Sequence, residues 1–397
     1  MSYDDKDPIE ELLRQYLDRR RFLASSALAA GGLAFGSSFL AACKGKESGP
    51  AASAGSAGSA AGAGGSKSVK ISNWPLYIDK ETVPNFEKAT GIHAEYTEDV
   101  NDNNEFFAKI SEPLKRGQSI DRDIIVLTDW MAGRMIRLGY VAPLDEAKFP
   151  HKANLEDTLR GVSWDSGRKY SVPWLSGMTG IGYNPKKTGR ELTSIHDIFD
   201  PKFKGKVTML TEMRDSIGLI MLGDGKDPAK ATKADVAAAA ATIKKYRLNG
   251  HIRAFTGNDY AEDLAAGNIA VAIAWSGDIQ GLAADNPDLR WIAPKEGAML
   301  FSDNMMIPKT SERADAAMAW INYVYDPAVS AKIVQAAPYI SPVKGTSAEL
   351  TKIAPDLAKS PLVNPPAELR ARLHIFRGLD EAEDQEFNRI FQDAVGA

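Results

Sequence analysis

The run Ile124-Ile125-Val126-Leu127 constrains the fold more than any other stretch. It is apolar at every position, so a strand made from it needs apolar neighbours on both faces. Such strands sit in parallel sheets covered by helices on both sides. The run follows Asp123 and ends in Thr128-Asp129-Trp130. A helix over 131–137, closed by Gly139, is expected next.

Other stretches repeat the pattern. Ser68 to Trp74 alternates polar and apolar residues, which reads as a strand. Pro75 stops its ladder in Trp74-Pro75-Leu76-Tyr77. A short helix is expected over 82–90, with Pro84 in its first turn and Gly91 just past its end. Residues 92–96 read as a second strand. Strands alternating with helices imply an α/β sheet. In such sheets ligands bind beyond the carboxyl ends of the strands. Here two strands end in Trp74/Tyr77 and in Thr128/Trp130, which points to an aromatic-lined cleft.

The N-terminal region sets where the chain works. Arg19-Arg20-Arg21-Phe22-Leu23 precedes a mildly apolar run from Ala24, which ends in Leu40-Ala41-Ala42-Cys43. Charge, apolar run and small residues come in the order of an export signal. The first part resembles a twin-arginine signal. The last four residues resemble a bacterial lipobox, in which Cys43 is lipidated and residues 1–43 form the leader. Cys43 is the only cysteine, so no internal disulfide is possible. Residues 44–67 are mostly Gly, Ala and Ser, a composition suited to a flexible tether. The expected location is the cell envelope, with a lipid holding the body to a membrane.

The roughly 330 residues from Ser68 onward suit two lobes of ordinary size. A net charge of -4 argues against nucleic acid as a partner. His93, His151, His196, His251 and His374 show no metal-ligand spacing. Gly223-Asp224-Gly225-Lys226-Asp227 lacks the spacing of a calcium loop and reads as a surface turn. No metal and no cofactor are expected.

The second half holds the chain's crossings between lobes. Residues 171–184 read as a strand peppered with glycines, which mark bends or close approaches. It is the expected crossover into the second lobe, and 299–308 the return. Between them come a strand at 207–211 ending in Glu212-Met213-Arg214-Asp215, helices at 235–246 and 259–266, and a strand at 269–275 ending in Trp275. Ser311 is expected to cap a helix whose Ala317, Trp320, Ile321 and Val324 share one face. The tail from Pro366 reads as mostly helical, with Phe387, Ile390 and Phe391 on one face. The lobes divide as 68–178 plus 304–345 and 179–303 plus 346–397.

These landmarks together resemble the polyamine-binding proteins of ATP-driven (ABC) importers, the spermidine/putrescine type. The resemblance runs from about Lys70 to Pro342. It rests on Asn73-Trp74-x-x-Tyr77, Phe86 to Ile92, Asp123 to Trp130 and Gly177 to Asn184. It continues through Phe203-Lys204-Gly205-Lys206 with Arg214-Asp215, Trp275 with Gly277, and Pro294 to Gly297 followed by Phe301-Ser302-Asp303. It implies a two-lobed periplasmic-binding-protein fold with hinge crossovers and a ligand cleft between the lobes. It also implies a monomer that hands a polyamine or related organic cation to an ABC permease. By position, Trp74, Tyr77, Thr128, Trp130, Glu212, Asp215, Trp275, Phe301, Asp303 and Tyr339 line the cleft.

The chemistry of such a ligand fits acids and aromatics at strand ends. Ammonium groups want carboxylates, methylenes want apolar faces, and aromatic faces serve both. The chain also departs from the family. Pro75 and Leu76 stand where the family has a hydroxyl residue and an acid. Phe301 stands for a tryptophan, and Arg377 falls near an expected glutamine, where a cation would oppose a polyamine.

Structural roles compete for the same residues. Trp74, Tyr77, Trp130 and Trp275 are also core-closing types. Thr128 can cap the next helix, and Glu212 and Asp215 can serve as N-terminal acids of a helix. Arg214 reads as a partner for one of them, Asp129 as solvated, and Tyr339 as a loop aromatic. Asp303 lies in apolar surroundings, so it needs either a ligand ammonium or a buried Arg or Lys. Sugars, amino acids or metal chelates remain alternative ligands. An extracytoplasmic hydrolase finds less support: there is no nucleophile elbow, zinc motif or phosphate loop, and nothing marks Glu212 and Asp303 as a glycosidase pair.

Overall fold

The computed structural model describes residues 67–396. The arginine run, Cys43 and the expected tether up to residue 66 lie outside the described residues. The first strand, β1, covers Ser68–Asn73, so the folded body begins where the Gly/Ala/Ser composition ends.

Parallel pairing joins β1 to β2 (His93–Glu98) on one side and to β3 (Ile124–Thr128) on the other. The long β4 (Ser171–Tyr183) follows, then β5 (Val207–Leu210), β6 (Ile252–Thr256), β7 (Val271–Trp275), β8 (Arg290–Ile292) and β9 (Ala298–Met306). Sheet order is β2-β1-β3-β9-β4-β7-β5-β6, with β8 paired to β4. Two parallel blocks, β2-β1-β3 and β7-β5-β6, thus flank a central antiparallel pair, β9 and β4. Those two strands are the crossovers, and both parallel blocks aim their carboxyl ends at the region between the lobes.

The apolar run in β3 behaves as its composition requires. Ile124 and Val126 enter one core with Trp320 and Ile321, from the helix Ala314–Val324. Ile125 and Leu127 point the other way, into a core with Phe106 and Ile110. Those two come from the helix Asn103–Lys115, absent from the expectations, whose N-cap Asp102 accepts from the amides of Asn104 and Glu105. Alternate side chains of one strand feed two cores, so neither face tolerates a polar residue. The second lobe has its own core around Val271, Ile273, Ile217 and Phe387.

Several local expectations change. Ser311 is not the N-cap of Ala314–Val324; Arg313 is, and the Ser311 hydroxyl donates to Asp123 at 2.7 Å instead. Leu350 and Val363 pack in the first lobe's core, so 346–363 sits with that lobe rather than with the second. The C-terminal helix Glu381–Val395 does pack on the second lobe, burying Phe387 and Phe391 while Ile390 stays partly exposed.

Glycines in β4 mark close approaches rather than bends. A Cβ on Gly180 would lie 2.4 Å from the Ile292 carbonyl oxygen and 2.6 Å from the Trp291 ring. β8 pairs antiparallel with β4 from Ile181 onward, and its backbone cannot give way as a side chain can. Gly180→Ala is expected to destabilise the fold by roughly 1–3 kcal/mol through overpacking, as a lowered midpoint in urea denaturation.

Candidate ligand-binding cleft

Asp303 is the centre of the cleft. It sits on β9 at the one place where the β9–β4 register shifts: Asp303 faces Leu175, but Asn304 faces Pro173. Trp174 is the extra residue, and its indole N–H donates to the Tyr77 carbonyl at 3.2 Å. The bulge therefore locks the turn that carries Tyr77. The Tyr77 hydroxyl donates to one Asp303 oxygen at 3.0 Å, and the Thr128 hydroxyl donates to the other at 2.8 Å. Thr128 lies directly across the β3–β9 ladder from Asp303. It makes no capping bond to the next helix; Asn103 donates to its oxygen and accepts from its amide.

Asp303 is 5% exposed, and among the described residues it has no Arg or Lys within ion-pair distance. Burial without a counter-charge pushes its pKa up to about 7, opposed by the Thr128 and Tyr77 bonds. Asp129 is not solvated as expected. It accepts from the Asn304 side chain at 2.8 Å and from the Ser302 amide at 3.1 Å, and burial raises its pKa. Arg168, itself buried, donates to the far end of Asn304. This chain of bonds fixes the backbone on either side of Asp303.

The opposite wall comes from the second lobe. Glu212 follows β5 and is the N-cap of the helix Met213–Gly223, accepting from the Arg214 amide. Burial raises its pKa to about 8, although Arg214 pulls the other way. Asp215, in the first turn of that helix, accepts from the Trp275 indole N–H at 2.9 Å, and burial lifts it to about 6. The helix-terminus roles foreseen for both acids are real, yet both also face the cavity. Arg214 is chiefly the partner of neither: it reaches Asp384 of the C-terminal helix at 2.7 Å, with Glu212 at 3.9 Å. Its guanidinium lies 4.0 Å from the ring of Trp130, a first-lobe residue.

Tyr339 follows the helix Pro327–Ala336 and packs with the first lobe's core, and Ile340 beside it bridges to Ser176 of β4. Its ring packs edge-on against Tyr77 at 5.0 Å, and its hydroxyl donates to Asp278 at 3.0 Å. A Cβ on Gly277 would lie 2.2 Å from that ring, so glycine there makes room for the tyrosine. Phe301 and Trp275 meet at 6.3 Å.

All the residues expected at the cleft line a single cavity of about 570 Å³, within the usual range for small-ligand sites. The sequence reading passed over Asp278, a further acid on its wall that also accepts from Tyr260 and Asn258. Its signal was available: an acid three residues beyond Trp275, in the first turn after a strand end. Trp164, from the small hairpin Gly161–Val162/Asp165–Ser166, also lines the cavity. Arg377 does reach the wall, but Glu383 holds it through two bonds of 2.9 and 2.7 Å. Its charge is thereby met within the second lobe. Pro75 and Leu76 line the cavity as apolar surface, and Leu76 holds a left-handed φ of 58°.

No group of three or more His, Cys, Asp or Glu among the described residues is arranged to hold a metal ion. No described helix is long and apolar enough to cross a membrane.

Comparison with known proteins places this architecture. Residues 81–364 match the family model described as bacterial extracellular solute-binding protein. The putrescine-binding periplasmic protein PotF of Escherichia coli (strain K12) is 32% identical over 344 residues, covering 82% of this chain and 90% of that one. The spermidine/putrescine-binding periplasmic protein 1 of Haemophilus influenzae is 27% identical over 309 residues, covering 77% and 83%. Among solved structures, the spermidine/putrescine ABC transporter substrate-binding protein PotD from Streptococcus pneumoniae superposes with a TM-score of 0.70. It is 23% identical and covers 83% of this chain and 98% of that chain, a likeness of fold.

The raised carboxylates carry a sign. In the unfolded chain Asp and Glu titrate near about 4, whereas Asp215, Glu212 and Asp303 bind protons up to about 6, 8 and 7 when folded. Between those limits the folded state holds more protons, so its stability falls as pH rises. Their contribution is complete below the unfolded values and is lost as pH climbs through the folded ones. Without ligand, the melting temperature is expected to decline toward pH 8. Asp303→Asn should flatten that decline, as read by calorimetric scans across the range.

Proposed function

The chain belongs to the bacterial extracellular solute-binding proteins, and from that premise we propose that it captures a polyamine of the putrescine/spermidine class and delivers it to an ABC permease. The observation that carries the reading is Asp303, a buried carboxylate with two neutral donors, no arginine or lysine at ion-pair distance among the described residues, and aromatic rings nearby. A ligand ammonium is the counter-charge that site lacks. Asp215, Glu212 and Asp278 offer further carboxylates across the cleft, and Trp74, Tyr77, Trp275, Phe301 and Tyr339 offer faces for methylenes. Each charge-assisted bond is worth ~1.5–3 kcal/mol, each buried CH₂ ~0.8 kcal/mol, and each cation–π contact ~0.5–2 kcal/mol. The protein acts as a receptor rather than an enzyme, a role that follows its family of solute-binding proteins.

The two lobes, 68–178 plus 304–363 and 179–303 with the C-terminal helix Glu381–Val395, close on the ligand as a hinge, with β4 and β9 as its straps. The receptor works as a monomer. Cys43 carries a lipid after export through a twin-arginine signal, and residues 44–67 tether the body to the membrane surface.

Calorimetric titration with putrescine and spermidine, beside neutral sugars, tests the ligand. Polyamine binding should weaken about 10- to 100-fold in Asp303→Asn, the loss of one charge-assisted bond. It should strengthen as pH rises through the range over which the cleft acids ionise, because bound protons must leave. Heat from a sugar and none from either polyamine would overturn the reading. For the anchor, Cys43→Ala is expected to move the protein from the membrane fraction to the soluble fraction of lysed cells; unchanged membrane retention would refute lipidation at that residue.

A further inference from the structure

The pole of the second lobe farthest from the cleft carries a cluster of exposed lysines. β5 and β6 run parallel; Thr211 and Glu212, just past the carboxyl end of β5, line the cavity, so the amino ends of both strands lie away from it. Two segments meet there. One is the turn Pro201–Phe203 and its continuation into β5; the other is the end of the helix Lys233–Leu248 and the turn into β6. The Gly205 amide donates to the His251 carbonyl at 2.9 Å, and Phe199 stacks on Tyr246 at 4.0 Å.

Neither 201–211 nor 236–258 contains an Asp or Glu. Lys202, Lys204, Lys206, Lys244 and Lys245 are exposed there, and none of them has a carboxylate within salt-bridge distance among the described residues. The helix macrodipole accounts for a cation such as Lys245 in the last turn. It does not account for the three lysines of the facing segment. Beside them Leu248 is 69% exposed, the most exposed of the large apolar residues described. Five exposed lysines and an exposed leucine on two adjoining segments, with Asp200 at their edge held by Arg190, make a local excess of positive charge on a protein of net charge -4.

We infer that this pole is a docking surface for an anionic phospholipid membrane. Lysines near such a surface are drawn to lipid phosphates, and a projecting leucine can enter the boundary between headgroups and acyl chains. A protein docked by this pole keeps its cleft on the far side of the second lobe, away from the lipid. The inference stands on charge and exposure and is independent of which solute the cleft takes.

The test is co-sedimentation of the full chain with phosphatidylcholine vesicles, with and without phosphatidylglycerol. Carrying Cys43→Ser in every sample removes the anchor, and the leader is then common to all. Binding should depend on phosphatidylglycerol and fall with added salt. Reversal of Lys202, Lys204, Lys244 and Lys245 to Glu should lower it by about fivefold per lysine, and Leu248→Ser should lower it further. Because these residues lie outside the cleft, putrescine titration of the same variants should be unchanged, which also reports that they fold. Binding that ignores phosphatidylglycerol, or that survives the four reversals, would overturn the inference and pass the patch to an acidic protein surface.

Discussion

A carboxylate buried without a counter-charge costs free energy unless something compensates it, and much of this molecule is arranged around that one group. Asp303 lies on β9, a strand shared by both lobes, so its position is tied to the sheet rather than to a loop. A register shift on the neighbouring β4 displaces Trp174, which pins Tyr77, whose hydroxyl meets the carboxylate. Thr128 reaches the other oxygen from β3. The protein gives Asp303 neutral donors and leaves the cation to come from outside.

The same logic explains the wall opposite. Where a positive side chain does line the cavity, an acid in the first turn of the C-terminal helix takes its charge: Asp384 for Arg214 and Glu383 for Arg377. Arg134 of the first lobe also comes within 3.8 Å of Asp384. One aspartate thus sits near an arginine from each lobe, while the cleft acids Asp215, Glu212 and Asp278 make their short bonds with neutral donors. Cations are drawn out of the cleft by partners behind it, and the cleft itself stays acidic and aromatic.

The sequence was most legible where a single local rule governs. The unbroken Ile124–Leu127 run demanded two apolar faces and received them. Gly91 and Gly139 ended helices at left-handed positions. Expectations failed where a partner distant in sequence decides. Asp129 reads as solvated until Asn304 and Ser302 arrive from β9. Ser311 reads as a cap until Asp123 takes its hydroxyl. Residues 346–363 read as second-lobe material until Leu350 and Val363 find the first core. Asp278 carried a sequence signal, an acid in the first turn after Trp275, and Tyr260, Asn258 and Tyr339 converging on it are what only the structure shows.

The sequence by itself determined the alternation of strand and helix, the aromatic and acidic strand ends, and hence a cleft at the carboxyl edge of an α/β sheet. These follow from side-chain periodicity and from the geometry of parallel strands, both of which are local. Tertiary structure alone decided which charges remain uncompensated. Burial and pairing are properties of neighbours brought together from far along the chain. Arg377 is harmless to a cation only because Glu383 faces it, and Asp303 is available to one only because no arginine or lysine among the described residues does.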